Sequence, residues 1–329
     1  MLKPNILFIS SGKKNNLPSS IVLAQAQSLI EKGIIAEHYS LNNKGLRGYL
    51  KECKNLRIFL KNKQYDIIHA HYGLTAIVAL WARRKEKLVV SFMGDDLVGS
   101  RKTDGRITKI SKILARLNSL LARWFYDLSI VKSEEMLSKV RTKKVALIPN
   151  GVNTNLFKPK SKEEARQKLS IDSRVRLAIF VSDPSRVEKN FLLAEKAVKS
   201  IDNQNVLLLP LFGLDHKNLV DYYNAADVLV LTSFHEGSPN VIKEAMACNC
   251  PIVSTEVGDV KWVIGETEGC YLASFDPQDF AETIKLALVF SEKHDRTNGR
   301  NRIIELGLDS ETIAKKIISI YEKVLIKRL

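Results

Sequence analysis

The stretch Asp227–Val260, DVLVLTSFHEGSPNVIKEAMACNCPIVSTEVGDV, decides how the rest of the chain is read. It opens with the apolar, β-branched run 228–232, which predicts a buried strand. A loop over 233–238 follows. Ser238 then predicts an N-cap, with Pro239 in the first position of a helix that runs to about Cys248. Pro251 leads into a second short strand over 251–255. Two carboxylates lie in this strand–loop–helix–strand unit, Glu236 in the loop and Glu244 on the helix. A helix N-terminus after a parallel strand favours an anion, because its free N–H groups and its dipole point the same way. An ionised carboxylate beside it suits sugar or ribose hydroxyls, which it can accept in pairs. The unit therefore reads as a pocket for a nucleotide or a phosphosugar, or else as a buried βαβ unit with a solvated loop glutamate.

Working outward, 329 residues suffice for two domains with a core each. Hydrophobic residues make up 45% and charged residues 26%, which is ordinary for a soluble chain. No apolar run approaches the length that spans a bilayer, and 5–10 is too short for a signal-peptide core, so a cytoplasmic place is expected. The cysteines at 53, 248, 250 and 270 lack zinc spacing and read as small buried residues in a reducing compartment. The net charge of +15 is uneven: residues 1–150 hold 27 Lys+Arg against 11 Asp+Glu, and the remainder is close to neutral. The first half therefore expects an anionic partner, either a membrane surface or a polyanionic acceptor. Nucleic acid is not expected, because no recognition module and few interleaved aromatics are present.

Strands alternate with helices along the whole chain, which predicts parallel α/β sheets. The first strand covers 4–10. Gly12 then stands in the turn before a helix over about 19–32, where a glycine lets a ligand come close to the backbone. His69 and His71 share one face of a strand over 64–71. An H-x-H pair can bind metal, but no third ligand has metal spacing, and no metal is expected. A strand over 88–92 ends in Met93-Gly94-Asp95-Asp96. A helix over 106–126 carries an apolar stripe and a basic side. Either the stripe enters the core and the basic side is solvated, or the face meets anionic lipid. Pro149-Asn150-Gly151-Val152-Asn153 is a turn with linker character. Beyond it, a strand over 177–181 leads to Arg186 and Lys189 at a helix mouth, a good place for a diphosphate. The segment 294–302 reads as polar and exposed, and the last helix as amphipathic from Ser310 to about Lys327.

Glu236 and Glu244 enclose seven residues, and with Gly237, Ala245-Met246-Ala247, Pro251 and Gly258 they resemble the EX7E signature of retaining GT-B glycosyltransferases of family 4. The junction Ile148-Pro149-Asn150-Gly151-Val152 followed by Phe157 and Pro159 is similar to that family's entry into its second domain. The resemblance implies two Rossmann-like domains facing across a cleft. It places the acceptor-side domain at 1–152, the nucleotide-sugar domain at 153–309 and helix 310–329 back on the first. It implies retaining transfer of a sugar from a UDP- or GDP-linked donor to a glycan or lipid-linked acceptor, in cell-surface polysaccharide synthesis, without a metal cofactor. The donor residues it implies are Gly12, Arg186, Lys189, Glu236, Gly237, Ser238, Pro239, Asn240, Val241 and Glu244. Family members often carry a histidine where Met93 stands, so the catalytic expectation moves to Asp95, beside Lys189 and Glu236. His71 and Asp96 are expected on the acceptor side. A nucleotide-sugar epimerase on the same scaffold, or a non-catalytic partner subunit, are the alternatives.

Overall fold

A computed structural model describes residues 4–12, 18–43, 45–100, 106–201 and 205–326. The chain divides into two compact units, and helix 310–326 belongs with the first although 150–309 form the second.

The first unit is built on six parallel strands, β1 (Asn5–Ser11), β2 (Ile35–Leu41), β3 (Ile67–His71), β4 (Lys87–Ser91), β5 (Leu128–Val131) and β6 (Val145–Leu147). Their order is β2-β1-β3-β4-β5-β6. Helices α1 (Ser20–Ile30), α2 (Gly45–Lys61), α3 (Gly73–Ala82), α4 (Asp95–Val98), α5 (Lys109–Trp124) and α6 (Glu134–Lys139) connect them. Strands β3 and β4 are buried on both faces, as a sheet covered by helices requires, with apolar runs at 67–68 and 88–90 and the buried polar residues His69, His71 and Ser91 beyond them. Their core includes Leu7, Ile9, Ile68, Val90 and Phe92.

The second unit has five parallel strands, β7 (Arg176–Phe180), β8 (Val206–Pro210), β9 (Val228–Leu231), β10 (Ile252–Thr255) and β11 (Cys270–Ala273), ordered β11-β10-β9-β7-β8. Its helices are α7 (Lys162–Leu169), α8 (Phe191–Lys199), α9 (Leu219–Ala225), α10 (Asn240–Ala247), α11 (Val260–Ile264), α12 (Pro277–His294) and α13 (Gly299–Glu305). Asp276 caps α12 by accepting from the N–H groups of Gln278 and Asp279, with Pro277 at the helix start. The segment 294–302 is exposed, as its polarity suggests, at 294, 295, 298 and 301, but not throughout. Thr297 is buried, Gly299 opens α13, and a Cβ there would stand 3.1 Å from the Met246 backbone of α10. Its arginines cap carbonyls instead of meeting water: Arg300 donates to the oxygens of Phe157 and Thr154, both at 2.9 Å.

Helix α14 (Ser310–Ile326) lies on the first unit, burying Ile313, Ala314, Ile317, Ile320, Tyr321 and Val324. It is fastened near its start and in its second half. Lys32 pairs with Glu311 at 2.6 Å, and the Tyr321 hydroxyl meets His69 Nδ1 at 2.6 Å.

Both sheets contain one place where neighbouring strands are not consecutive and their connections leave in opposite directions. In the first unit it lies between β1 and β3, and in the second between β7 and β9. Open α/β sheets bind ligands at the carboxyl ends of such strands, because the two diverging connections leave a crevice there.

Candidate functional site

The carboxyl ends of β7 and β9 hold a charged pair. After β7 the chain makes a single turn of tighter helix over Val187–Lys189, and Asn190 takes a left-handed conformation (φ 51°) before α8 begins at Phe191. The Thr232 hydroxyl, at the end of β9, donates to the carbonyls of Lys189 and Asn190, both at 2.9 Å. Phe234 N–H donates to Glu188 O at 2.9 Å. These bonds tie the loop after β7 to the loop after β9, and they bring Lys189 Nζ to 2.5 Å from Glu236 Oε1. Ser233 Oγ donates to the same oxygen at 2.7 Å. Both members of the ion pair keep some exposure, 16% for Lys189 and 14% for Glu236, so the pair is held in place but open to a ligand.

Arg186 is not part of this cluster. It is exposed and turns along its own loop to pair with Glu188 at 2.5 Å.

Gly237 and Gly258 set how closely two loops approach. Gly258 has φ +57°, and a Cβ on it would lie 2.6 Å from Gly237 O and 2.9 Å from Glu236 O. Only glycine fits a left-handed backbone packed against another backbone in this way.

Ser238 does not cap α10, contrary to the sequence expectation. The helix begins at Asn240 with Pro239 at its N-cap position and no side-chain cap. The Ser238 hydroxyl donates to Asp259 Oδ2 at 2.6 Å, accepts from Asn150 N–H at 3.3 Å and meets Lys243 Nζ. Lys243 is wholly buried and pairs with the same Asp259 oxygen at 3.0 Å. Burial lowers its pKa against the pull of Asp259. The serine has been taken by a buried ion pair, and among the described residues no side chain caps the first N–H groups of α10. Asn240, the first helical residue, has a buried Oδ1 with no hydrogen-bond partner among the described residues.

Glu244 lies deeper. His216 Nε2 stands 2.6 Å from its Oε1 and the Tyr223 hydroxyl donates to its Oε2 at 2.8 Å. Phe157 packs edge-on against both rings, with centroids 5.0 Å from His216 and 5.9 Å from Tyr223. The hydrogen bond to Glu244 raises the His216 pKa against the effect of burial. Burial, then the Glu244 charge, holds the Tyr223 hydroxyl far above its usual value. Each carboxylate oxygen keeps a second lone pair, so Glu244 is oriented without being used up.

In the first unit, Gly12 donates its N–H to Leu41 O at 2.9 Å, just beyond β1. His71 is buried at the end of β3, stacked between Phe8 and His69, with its Nε2 unpartnered among the described residues. Burial holds its pKa well below the usual histidine value and takes that of His69 down to about 3. Asp96 is also buried. Its carboxylate accepts from Gly73 N–H at 2.9 Å and, on the other oxygen, from Met93 and Gly94 N–H at 3.0 Å each. Burial raises its pKa to about 6, against those backbone donors. Asp95 is half-buried in the first turn of α4, where Ser100 Oγ donates to it at 3.3 Å. Among the described residues no group of three His, Cys, Asp or Glu could hold a metal.

The structure thus gathers Lys189, Glu236 and the start of α10 at one strand end, with Glu244 behind. Sequence reasoning missed His216, Tyr223, Lys243 and Asp259. Only Lys243 left a trace, as the one cation in the helix that carries Glu244.

A family model described as glycosyl transferases group 1 matches residues 164–289, and one described as Glycosyltransferase Family 4 matches residues 22–156. The chain is 26% identical to TuaC of Bacillus subtilis, named for teichuronic acid biosynthesis, over 67% of this chain and 60% of that protein. It is 22% identical to the D-inositol 3-phosphate glycosyltransferase of Streptosporangium roseum, over 73% of this chain and 65% of that one. The matches therefore span less than two thirds of these relatives. Among solved structures, sucrose-phosphate synthase from Thermosynechococcus elongatus superposes with a TM-score of 0.79 at 19% identity, covering 98% of this chain and 99% of that chain. Anabaena HepE in complex with UDP and glucose superposes at 0.70 and 18% identity, covering 97% and 100%. These structural likenesses show the fold, which is GT-B.

Proposed function

The chain belongs to the glycosyltransferases of group 1 and family 4, and on that premise we propose that it moves a sugar from a UDP- or GDP-linked donor to a glycan or lipid-linked acceptor, with retention of configuration, in cell-surface polysaccharide synthesis. The observation that carries this reading is the pairing of Lys189 with Glu236 at the β7–β9 crevice, beside the free N-terminus of α10. The UDP complex of the similarly folded HepE supports a nucleotide donor.

The costly event in such a transfer is departure of a charged diphosphate. Lys189 supplies a cation, and the N–H groups of Asn240 and Val241 at the start of α10 supply aligned dipoles. In the free protein Lys189 is neutralised by Glu236. A bound diphosphate competes for the ammonium and frees Glu236 to accept sugar hydroxyls. Glu244, fixed by His216 and Tyr223, accepts the ribose hydroxyls and holds the donor in register. Gly237, Ser238 and Pro239 shape the loop between them. In the first unit we assign Gly12 to the donor, Asp95 to the reacting end, and His71 and Asp96 to the acceptor side. Retention follows from a front-face route in which the leaving phosphate takes the acceptor proton. This route uses no carboxylate nucleophile and invokes no metal.

The test is a panel of UDP- and GDP-sugars, read first by thermal shift and then by transfer and hydrolysis. At least one sugar nucleotide raises the melting temperature, and Glu244→Ala abolishes that shift. If no sugar nucleotide stabilises the protein, the reading fails. Conversion of the donor sugar with no acceptor present would make the enzyme an epimerase.

A further inference from the structure

Helix α5 is turned the wrong way for a core helix. The residues it buries are Ala115, Asn118 and Ala122, two of them small and one polar. Leu114 and Leu121 are half-buried, but five other large apolar residues face outward: Ile110 is 73% exposed, Ile113 64% and Trp124 65%, and Leu117 and Leu120 are exposed between them. These five recur at alternating steps of three and four, so they form one continuous stripe. Beside the stripe, on the same outward side, run Lys109, Lys112, Arg116 and Arg123. The helix contains no acidic residue. A groove of about 660 Å³ borders it, in which Lys112 and Arg116 of α5 face Lys139 and Arg141 over an apolar floor that includes Leu97, Val98 and Leu120.

We propose that α5 is a membrane-docking helix, which lays its apolar stripe into an anionic lipid surface and sets the phosphates of that surface against its basic flank and the adjoining groove. A stripe of this size left in water is costly, at about 25 cal/mol per Å² of apolar surface, so something covers it. The charge identifies what does. An apolar face bordered by Lys and Arg, with no acid, matches a bilayer interface rich in anionic headgroups. A second copy of the chain matches poorly, because pairing α5 with itself brings the basic flanks together with no carboxylate on either helix to offset them. Trp124 and Phe125 stand exposed at the helix end, where amphipathic rings suit the headgroup level. No helix of the described residues is long and apolar enough to cross a membrane, so this contact is interfacial. The inference does not depend on the transferase reading, since it concerns a surface and not a reaction.

The experiment is co-sedimentation with vesicles of phosphatidylcholine alone and of phosphatidylcholine mixed with phosphatidylglycerol, at low and high salt, with no donor present. The protein sediments with the anionic vesicles, and high salt weakens it. Ile113→Ser combined with Leu117→Ser lowers partitioning at least about tenfold. Lys112→Gln and Arg116→Gln each lower it about fivefold on anionic vesicles and leave neutral vesicles unchanged. All four side chains point outward, so far-UV circular dichroism and the thermal midpoint stay as in the parent. The thermal shift with UDP or GDP also stays as in the parent, which separates this result from any failure of the donor site. Parent protein that stays in the supernatant with anionic vesicles overturns the proposal. So does binding that ignores lipid charge and salt. A parent dimer that Ile113→Ser with Leu117→Ser converts to monomer would instead give the stripe to a second copy.

Discussion

At the carboxyl ends of β3 and β4 the charged side chains hold the backbone, whereas at the carboxyl ends of β7 and β9 they hold one another. Asp96 spends both oxygens on the N–H groups of Gly73, Met93 and Gly94, and so fixes the turn into α4 and the start of α3. In the second unit Lys189 and Glu236 face each other with exposure left over, and Glu244 is gripped by side chains alone. A group bonded to backbone cannot leave without unravelling a turn, so it is structural whatever else it does. A group bonded to another side chain can exchange that partner for a ligand at the cost of a rotamer change. The same βα architecture therefore yields a rigid strand end in one unit and an exchangeable one in the other.

The sharpest way to break this contrast is Lys189→Ala. If the lysine is exchangeable and meets the diphosphate, kcat falls by about 10²–10³ while the urea midpoint moves little. A large loss of stability with unchanged turnover would make Lys189 a structural residue like Asp96. The converse substitution is Asp96→Ala. It strands three backbone donors and costs about 3 kcal/mol in unfolding free energy, measured by urea titration. A loss well under 1 kcal/mol would show that the turn stands without its carboxylate.

Histidines give the two units opposite responses to acid. His69 and His71 are held below the ordinary value, so their contribution is present above about pH 6.5 and is lost as pH falls below it. Each contributes a slope of up to about 1.4 kcal/mol per pH unit. His216 is held above the ordinary value, so its contribution is complete below about pH 6.5 and is lost as pH rises through the raised value. Hydrogen exchange, corrected for its intrinsic pH dependence, should show β3 loosening from pH 7 to 5. Over the same range α9 should gain protection relative to a His216→Gln variant. His69 ring resonances titrating near their ordinary value would remove the contrast.

The smallest effect is expected at Arg186→Ala. Its pair with Glu188 is exposed and contributes less than about 1 kcal/mol, so stability is unchanged and kcat/KM falls by less than about fivefold. A fall as large as that of Lys189→Ala would return Arg186 to the diphosphate.

The strands were legible because parallel strands covered on both faces leave continuous apolar runs, as in 228–231 and 88–90. The Lys189 and Glu236 pairing was legible only as two loops of the right chemistry. Their distance depends on β7 and β9 being neighbours, which no local pattern states. Ser238 was misread because N-cap preference is local, while the claim of Asp259 on its hydroxyl comes from 21 residues away. Segment 294–302 was read only in part for a related reason: polar residues look solvated in sequence, and 294, 295, 298 and 301 are, yet Arg300 and Thr297 bond to backbone.

Asp227–Val260 by itself determined a buried strand, a loop carrying one carboxylate, a helix carrying another and a second strand, because periodicity and turn chemistry act over a few residues. The stretch 106–126 likewise determined that α5 has an apolar stripe and a basic side. The tertiary structure decided what each of these meets. Strand order brought Lys189 to Glu236, the packing of α9 and Phe157 set His216 and Tyr223 on Glu244, and the burial of Ala115 and Ala122 turned the α5 stripe outward. The physical reason is that amphipathicity fixes which residues share a face, whereas only the completed core decides which face is left for water or a partner.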